Sequence, residues 1–152
     1  MIALVIREAT DDDLEAVVGL HATDDVGYGD GWNTASEPAY RAAFAAIAAS
    51  SETRLYVATE GARVVGSFIL TFMPGLTGLG MRHAVLRSVQ VAQGRRSRGI
   101  GAAMVAEAER LALVGGAGML ELTSNLRREA AHRFYRRLGY AQSHAGFKKM
   151  LR

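Results

Sequence analysis

Val89-Gln90-Val91-Ala92-Gln93-Gly94-Arg95-Arg96-Ser97-Arg98-Gly99-Ile100-Gly101 is the stretch from which the architecture can be read. Val89 and Val91 mark the end of an apolar strand, and the glycines and arginines that follow mark a turn. Ile100, Met104, Ala108 and Leu111 then recur along one face of a helix over Gly99 to Val114. The first amides of a helix have no partner inside it, and together with the helix dipole they form an anion site. Gly99 and Gly101 remove side chains that would keep a phosphate from the backbone. Arg95, Arg96 and Arg98 add guanidinium groups, which match phosphate oxygens. Taken alone, the stretch is equally compatible with a basic turn whose arginines face solvent. It lacks the Gly-Lys-Ser/Thr of a P-loop and the three-glycine spacing of the dinucleotide fingerprint, so ATP and NAD fit it poorly.

Working outward, Ile2 to Arg7 reads as a first strand. Thr10 is an N-cap, with Asp11, Asp12 and Asp13 where the dipole favours acids. Leu14, Val17, Val18 and His21 follow at helical spacing. Asp24 to Asn33 is a loop, and Ser36-Glu37-Pro38 opens a second helix striped by Tyr40, Phe44 and Ile47. Arg54–Thr59 and Arg63–Phe72 form a hairpin about Glu60-Gly61-Ala62, and Met73–Gly80 is a loop. Ala84–Val91 is a strand, and Met119–Thr123 is a short buried one. Strand, helix and strand through residues 84 to 123 require a parallel crossover. Arg127 to Leu138 is a helix closed by Gly139. Tyr140–Ser143 and Phe147–Leu151 read as closing strands. The order β-α-α-β-β-β-α-β-α-β-β is that of a mixed α/β (α+β) chain, and with only short linkers it is expected to form one domain over residues 1–152.

Composition bounds the reading. Of 152 residues, 49% are apolar and 22% charged, values that fit a folded chain and not a disordered one. No apolar run is long enough to cross a bilayer, and the first residues lack the pattern of a signal peptide, so no membrane partner is expected. The chain has no cysteine, which excludes disulfides and protein thiolate chemistry and suits a cytoplasmic location. Net charge is +3, and Lys148 and Lys149 are the only lysines among 18 basic residues. The arginines concentrate at one turn and one helix with no nucleic-acid motif, so nucleic acid is not expected as a partner. The high alanine and arginine content points weakly to a GC-rich bacterial genome.

Downstream, Leu122-Thr123-Ser124-Asn125 closes a strand and Ala131-His132-Arg133-Phe134-Tyr135-Arg136-Arg137-Leu138-Gly139-Tyr140 runs along a helix. Ala131, Phe134 and Leu138 share a face and are expected in the core. Tyr135 lies beside that stripe, where a half-buried aromatic would also be ordinary.

Arg96-Ser97-Arg98-Gly99-Ile100-Gly101 resembles the Arg/Gln-x-x-Gly-x-Gly/Ala signature of the GNAT acetyltransferases. Asn125 followed by Ala131-x-x-Phe134-Tyr135-x-x-x-Gly139-Tyr140 resembles that family's second motif. Thr71–Thr77 and Ser143–Lys148 resemble a bacterial subgroup that contains aminoalkylphosphonate acetyltransferases. The resemblance covers nearly the whole chain and is strongest from Val85 to Phe147. It implies the acyl-CoA N-acyltransferase fold, a mixed and mostly antiparallel central sheet flanked by about four helices. It also implies acetyl-CoA (coenzyme A) as cofactor, an amine as acceptor, direct attack in a ternary complex, and a homodimer. Carried over, the amides of Arg96, Ser97, Arg98, Gly99, Ile100 and Gly101 hold the cofactor pyrophosphate. Val89 and Val91 pair with its pantetheine arm, and the Val89 amide receives the oxyanion. Asn125 contacts the pantetheine or the helix backbone, and Tyr135 protonates the departing thiolate.

Family members often carry a glutamate as general base on the strand before the turn, and here Arg87 stands in that place. Arginine cannot accept a proton. His83, His144 or solvent remain as routes for deprotonating the acceptor, and Arg87 is a candidate for binding an acidic group on it. His132 is expected to pack or hydrogen-bond. The loop carrying Asp24, Asp25, Tyr28, Asp30, Trp32 and Glu37 combines acids and aromatics suited to a cationic acceptor, with Tyr28 and Trp32 as candidate contacts; a solvated loop whose Trp32 packs on the core is the other reading, and it names no acceptor. A small-molecule amine is the expected acceptor. A protein or peptide amine, and a non-catalytic acyl-CoA-binding regulatory domain, are the readings that stay open beside it.

Overall fold

The computed structural model describes residues 2–24 and 30–152. The chain falls into two compact units, Met1–Leu122 and Thr123–Arg152. The first unit runs β1 (Leu4–Glu8), a 3-10 turn (Asp11–Asp13), α1 (Leu14–Ala22), α2 (Glu37–Ala49), β2 (Thr53–Glu60), β3 (Arg63–Met73), the single turn α3 (Thr77–Gly80), β4 (His83–Val91), a 3-10 turn (Gln93–Arg95), α4 (Ile100–Val114) and β5 (Met119–Leu122). The second unit holds α5 (Glu129–Arg137).

The five strands form one sheet in the order β1-β2-β3-β4-β5. The first four are antiparallel neighbours, and β5 runs parallel to β4 after the α4 crossover. Register fixes which residues share a face, because directly paired side chains lie on the same side. Leu55 pairs with Ile69 and Val57 with Ser67. Leu55, Val57 and Ile69 pack with Leu14, Val17, Val18 and Phe44, so this is the face covered by α1 and α2. Gly66 points the other way, where a Cβ would lie 2.8 Å from Met104 Sδ on α4. Met104, Val105 and Ala108 seal that second face and are essentially inaccessible.

The entry to α1 shows how the expected cap is built. Asp13 is buried, and its carboxylate accepts two bonds from the Arg7 guanidinium, at 2.7 and 2.9 Å, and one from the Thr10 N–H at 2.8 Å. The strand β1 is thereby fastened to the helix that follows it.

Several expectations change. The closing strands at 140–143 and 147–151 are absent. Among the described residues, 141–152 form no backbone–backbone hydrogen bond, and Phe147, Met150 and Leu151 are exposed. An alternating pattern is necessary for a strand, but a strand exists only where a neighbour completes its ladder. The strand β5 is not buried either, with residues alternating between exposed and partly covered. Leu138, just past the end of α5, is exposed and Phe134 on it is only partly covered, so that stripe is not core. The 73–80 connection contains the single turn α3, where Gly78 and Leu79 adopt positive φ.

The Arg7 guanidinium holds the Asp13 carboxyl below the usual carboxylate range, outweighing the opposing effect of burial. A depressed folded-state pKa stabilises above the ordinary aspartate value near 3.9 and ceases to do so as pH falls through the folded value. We expect Asp13→Ala to cost about 1–3 kcal/mol at pH 7, a drop in Tm on the order of 3–10 °C. Thermal melts from pH 7 to pH 2 should show variant and wild type converging in acid.

Candidate active site

The pairing between β4 and β5 is short. It runs from His83 with Met119 to Leu86 with Leu122 and stops there. From Arg87 to Val91, β4 is paired on its β3 side alone. The Ala92 N–H donates to Val65 O on β3 at 2.8 Å. Backbone N–H groups alternate between the two edges of a strand, so the Val91 N–H, and two residues earlier that of Val89, face the open edge. The two N–H groups on this edge therefore belong to the residues that the family resemblance assigned to pantetheine.

The same segment contains a bulge. Ser67 pairs with Gln90 and Ile69 with Arg87, so β4 uses two residues, Ser88 and Val89, opposite Phe68 alone. Ser88 takes φ 55°, in the left-handed region. A bulge shifts the alternation of side chains by one residue. Arg87 shares the α1–α2 face with Ile69, and beyond the bulge Gln90 shares that face with Ser67. Two polar side chains three positions apart are thus brought to one face, which a regular strand would forbid. Nothing in the sequence reading anticipated Gln90, Ser67 or the bulge. The available signal was the glutamine itself, a polar residue between two valines on a buried strand.

At the end of β4, the chain turns through Gln93–Arg95 into α4. Gly99 caps the helix at φ 81° and accepts the first bond, from the Ala103 N–H at 3.0 Å. Among the described residues, the N–H groups of Ser97, Arg98 and Gly99 make no backbone hydrogen bond. Ile100 is buried while Gln93, Gly94 and Arg96–Gly99 are exposed, so the amides at the start of α4 open onto an accessible turn. The three arginines divide their work. Arg95 pairs with Glu60 at 3.2 Å and is already engaged. Arg96 folds back, its Nε donating to Val91 O at 3.3 Å. Arg98 is exposed, with no ion-pair partner among the described residues. The turn can hold an anion through backbone N–H groups with Arg98 beside them.

His83 lies at the far end of β4, about 20 Å along the strand from Val89, with Nδ1 3.2 Å from Glu121 Oε2. The structure does not bring it to the bulge. Trp32 packs at the edge of the α1–α2 core, stacked on Tyr40 with centroids 6.2 Å apart, and the Arg41 guanidinium sits 5.3 Å over its ring. One face of that ring thus already carries a cation. Asp25 and Tyr28 lie outside the described residues.

In the second unit, Asn125 Oδ1 accepts from the Arg127 N–H at 2.9 Å, and Asn125 O accepts from the Arg128 N–H. His132 Nε2 lies 2.9 Å from Asn125 O. Asn125 therefore braces the turn that precedes α5, and His132 hydrogen-bonds to its carbonyl. Tyr135 is half-buried, edge-on to Phe134 at 5.0 Å and to Tyr140 at 5.8 Å. Burial pushes its phenol above the ordinary tyrosine value, against a smaller opposing effect from the charge of Arg128. Tyr135 stays protonated at neutral pH, as a proton donor must. His144 is exposed, with Nδ1 2.7 Å from the Ser143 hydroxyl.

Among the described residues, no group of histidines and acids could hold a metal ion, and no helix is long and apolar enough to cross a membrane. The model of the Acetyltransferase (GNAT) family matches residues 14–140. An aminoalkylphosphonate N-acetyltransferase from Salmonella typhimurium is 34% identical over 117 residues, 74% of this chain and 73% of that protein. The crystal structure of a transcriptional regulator from Bacillus halodurans C-125 superposes with a TM-score of 0.94 at 34% identity, covering 98% of this chain and 100% of the other. An aminoglycoside N-acetyltransferase in complex with CoA shares the fold at a TM-score of 0.81 and 15% identity, covering 100% of this chain and 97% of its own. An open β4 edge leading into a helix N-terminus, in a chain whose sequence matches over most of its length, places the protein as a coenzyme A-dependent acyltransferase of the GNAT acetyltransferase family.

Proposed function

We propose that this chain transfers an acetyl group from acetyl-CoA to the primary amine of a small molecule, by direct attack with both substrates bound. The edge of β4 from Arg87 to Val91, which has no partner strand and runs straight into the exposed amides at the start of α4, carries this reading. A pantetheine arm has amides of its own, and the Val89 and Val91 backbone groups can complete a ladder with them. A pyrophosphate fits the accessible N-terminus of α4, with Arg98 beside it.

Acetyl-CoA supplies the acetyl group as a thioester. The Val89 N–H, on the open edge, donates to the carbonyl oxygen as negative charge develops there. The acceptor ammonium gives a proton to solvent, the free amine attacks the thioester carbon, and the nitrogen–carbon bond forms as the carbon–sulfur bond breaks. Tyr135 gives its phenolic proton to the departing sulfur, its raised pKa keeping that proton available at neutral pH, and the second proton lost by the nitrogen returns through solvent to the phenolate. Arg87 binds an acidic group on the acceptor. Support for a small acceptor with such a group comes from the Salmonella relative, an aminoalkylphosphonate N-acetyltransferase.

Gly99→Trp tests the cofactor site. The position needs φ 81° and has open space around it, so a large side chain would strain the cap and cover the amides without invading the core. Calorimetry should show saturable acetyl-CoA binding by wild type and a loss of at least about 100-fold in the variant, as expected when the chelating amides are blocked. Equal binding by both proteins would remove the pyrophosphate from this turn.

Tyr135→Phe tests the acid. Thiol release with an amine panel should fall on the order of 100-fold or more in kcat, with acetyl-CoA affinity nearly unchanged. The wild-type rate should show no loss of protonated phenol until pH rises above the ordinary tyrosine value of about 10. An unchanged kcat in Tyr135→Phe would assign the thiolate proton to another donor.

A further inference from the structure

The face of the sheet beneath α1 and α2 is apolar at Leu55, Val57, Val64 and Ile69 but not where β3 and β4 meet beside the bulge. There Ser67 and Gln90 pair directly and share the face. Gln90 is only 6% exposed, and its Nε2 donates to Asp24 Oδ2 at 2.9 Å, across 66 residues of sequence. Ser67 is wholly inaccessible, and its hydroxyl has no hydrogen-bond partner among the described residues. Polar groups are costly to bury and are seldom left unmatched. A helix-to-strand contact that served packing alone would be met more cheaply by apolar side chains. Asp24 itself is partly accessible and follows the end of α1.

We propose that Asp24, held in place by Gln90, is the residue that binds the acceptor's ammonium group, with Gln90 as its positioning residue. This rests on the acetyltransferase reading of β4. Gln90 is the residue after Val89, so its carboxamide fixes a carboxylate within one side chain's reach of the backbone where the acetyl carbonyl is polarised. The amine must arrive at that same point. A primary ammonium is recognised by a carboxylate of fixed orientation, and a carboxylate whose partner is a buried amide cannot swing away. Arg87 lies on the same face, on the other side of the bulge. A cation and an anion flanking one bulge select acceptors that carry an ammonium at one end and an acidic group at the other. The bulge is what allows this, because without the extra residue Gln90 would face α4.

The test measures acceptor binding without turnover. Protein saturated with CoA, which carries no acetyl group, is titrated calorimetrically with 2-aminoethylphosphonate, spermidine and glucosamine, and with 2-hydroxyethylphosphonate as the control lacking the ammonium. Asp24→Asn keeps the size and the hydrogen bond to Gln90 but not the charge. It should weaken binding of the preferred amine at least tenfold while leaving 2-hydroxyethylphosphonate and CoA affinities within twofold. Gln90→Met keeps the volume and should raise the acceptor KM severalfold with kcat changed less, a split that a merely structural residue would not produce. Asp24→Glu should recover part of the binding lost in Asp24→Asn. Equal amine affinity in Asp24→Asn and wild type, or equal losses for the amine and its hydroxyl counterpart, would overturn the inference. So would wild type that binds CoA but none of the amines. Wild type that fails to bind CoA at all would instead overturn the acetyltransferase reading beneath it.

Discussion

Pairing between β4 and β5 ends at Leu86 and Leu122, and the arrangement of the first unit's functional groups depends on that early stop. A strand in the middle of a sheet ordinarily has both edges satisfied. Here five residues of β4 keep one edge open in the body of the sheet rather than at its rim. Backbone groups in that position need partners, and water or a ligand with amides of its own can supply them.

The bulge at Ser88 and Val89 is the second half of the same device. It is held between two regular stretches of β3–β4 pairing, so Ser88 remains in an uncommon conformation because its neighbours fix it there. The extra residue turns the alternation over, places Arg87 and Gln90 on one face, and leaves Val89 directed at the open edge. Around it the scaffold is stiff. Met104 and Val105 of α4 seal one face, the Leu14, Val17, Val18 and Phe44 cluster seals the other, and β1 is fastened to α1 through Arg7 and Asp13. Charge in the turn is distributed with similar economy. Of the turn's three arginines, Arg95 pairs with Glu60, Arg96 braces the strand end, and Arg98 is exposed.

Much of this was legible in the order of residues. Acids after Thr10, Pro38 in the first turn of α2, Gly61 between two β-rich runs, and Gly99 and Gly139 at helix ends are local signals, and the structure honours each of them. The strand–turn–helix at Val89–Gly101 was legible too, because glycine position and helix periodicity are decided within a dozen residues. Residues 140–151 misled for the opposite reason. Their alternation is a property of the segment, but a ladder is a property of two segments, and among the described residues none supplies one. The bulge was silent in sequence because an extra residue is defined only against the partner strand.

The sequence by itself determined where helices start and stop, that the turn before α4 is basic and glycine-rich, and that Tyr135 sits beside an apolar stripe. These follow from backbone preferences and spacing within single elements. Tertiary structure alone decided that β4 would lose its neighbour after Leu86, that Arg95 would be neutralised by Glu60, and that Gln90 would meet Asp24 across 66 residues. It also decided that His83 would stand far along β4 from the bulge. Those outcomes depend on register, and register is set by which strands pair and how far, a relation between distant segments that neither segment encodes by itself.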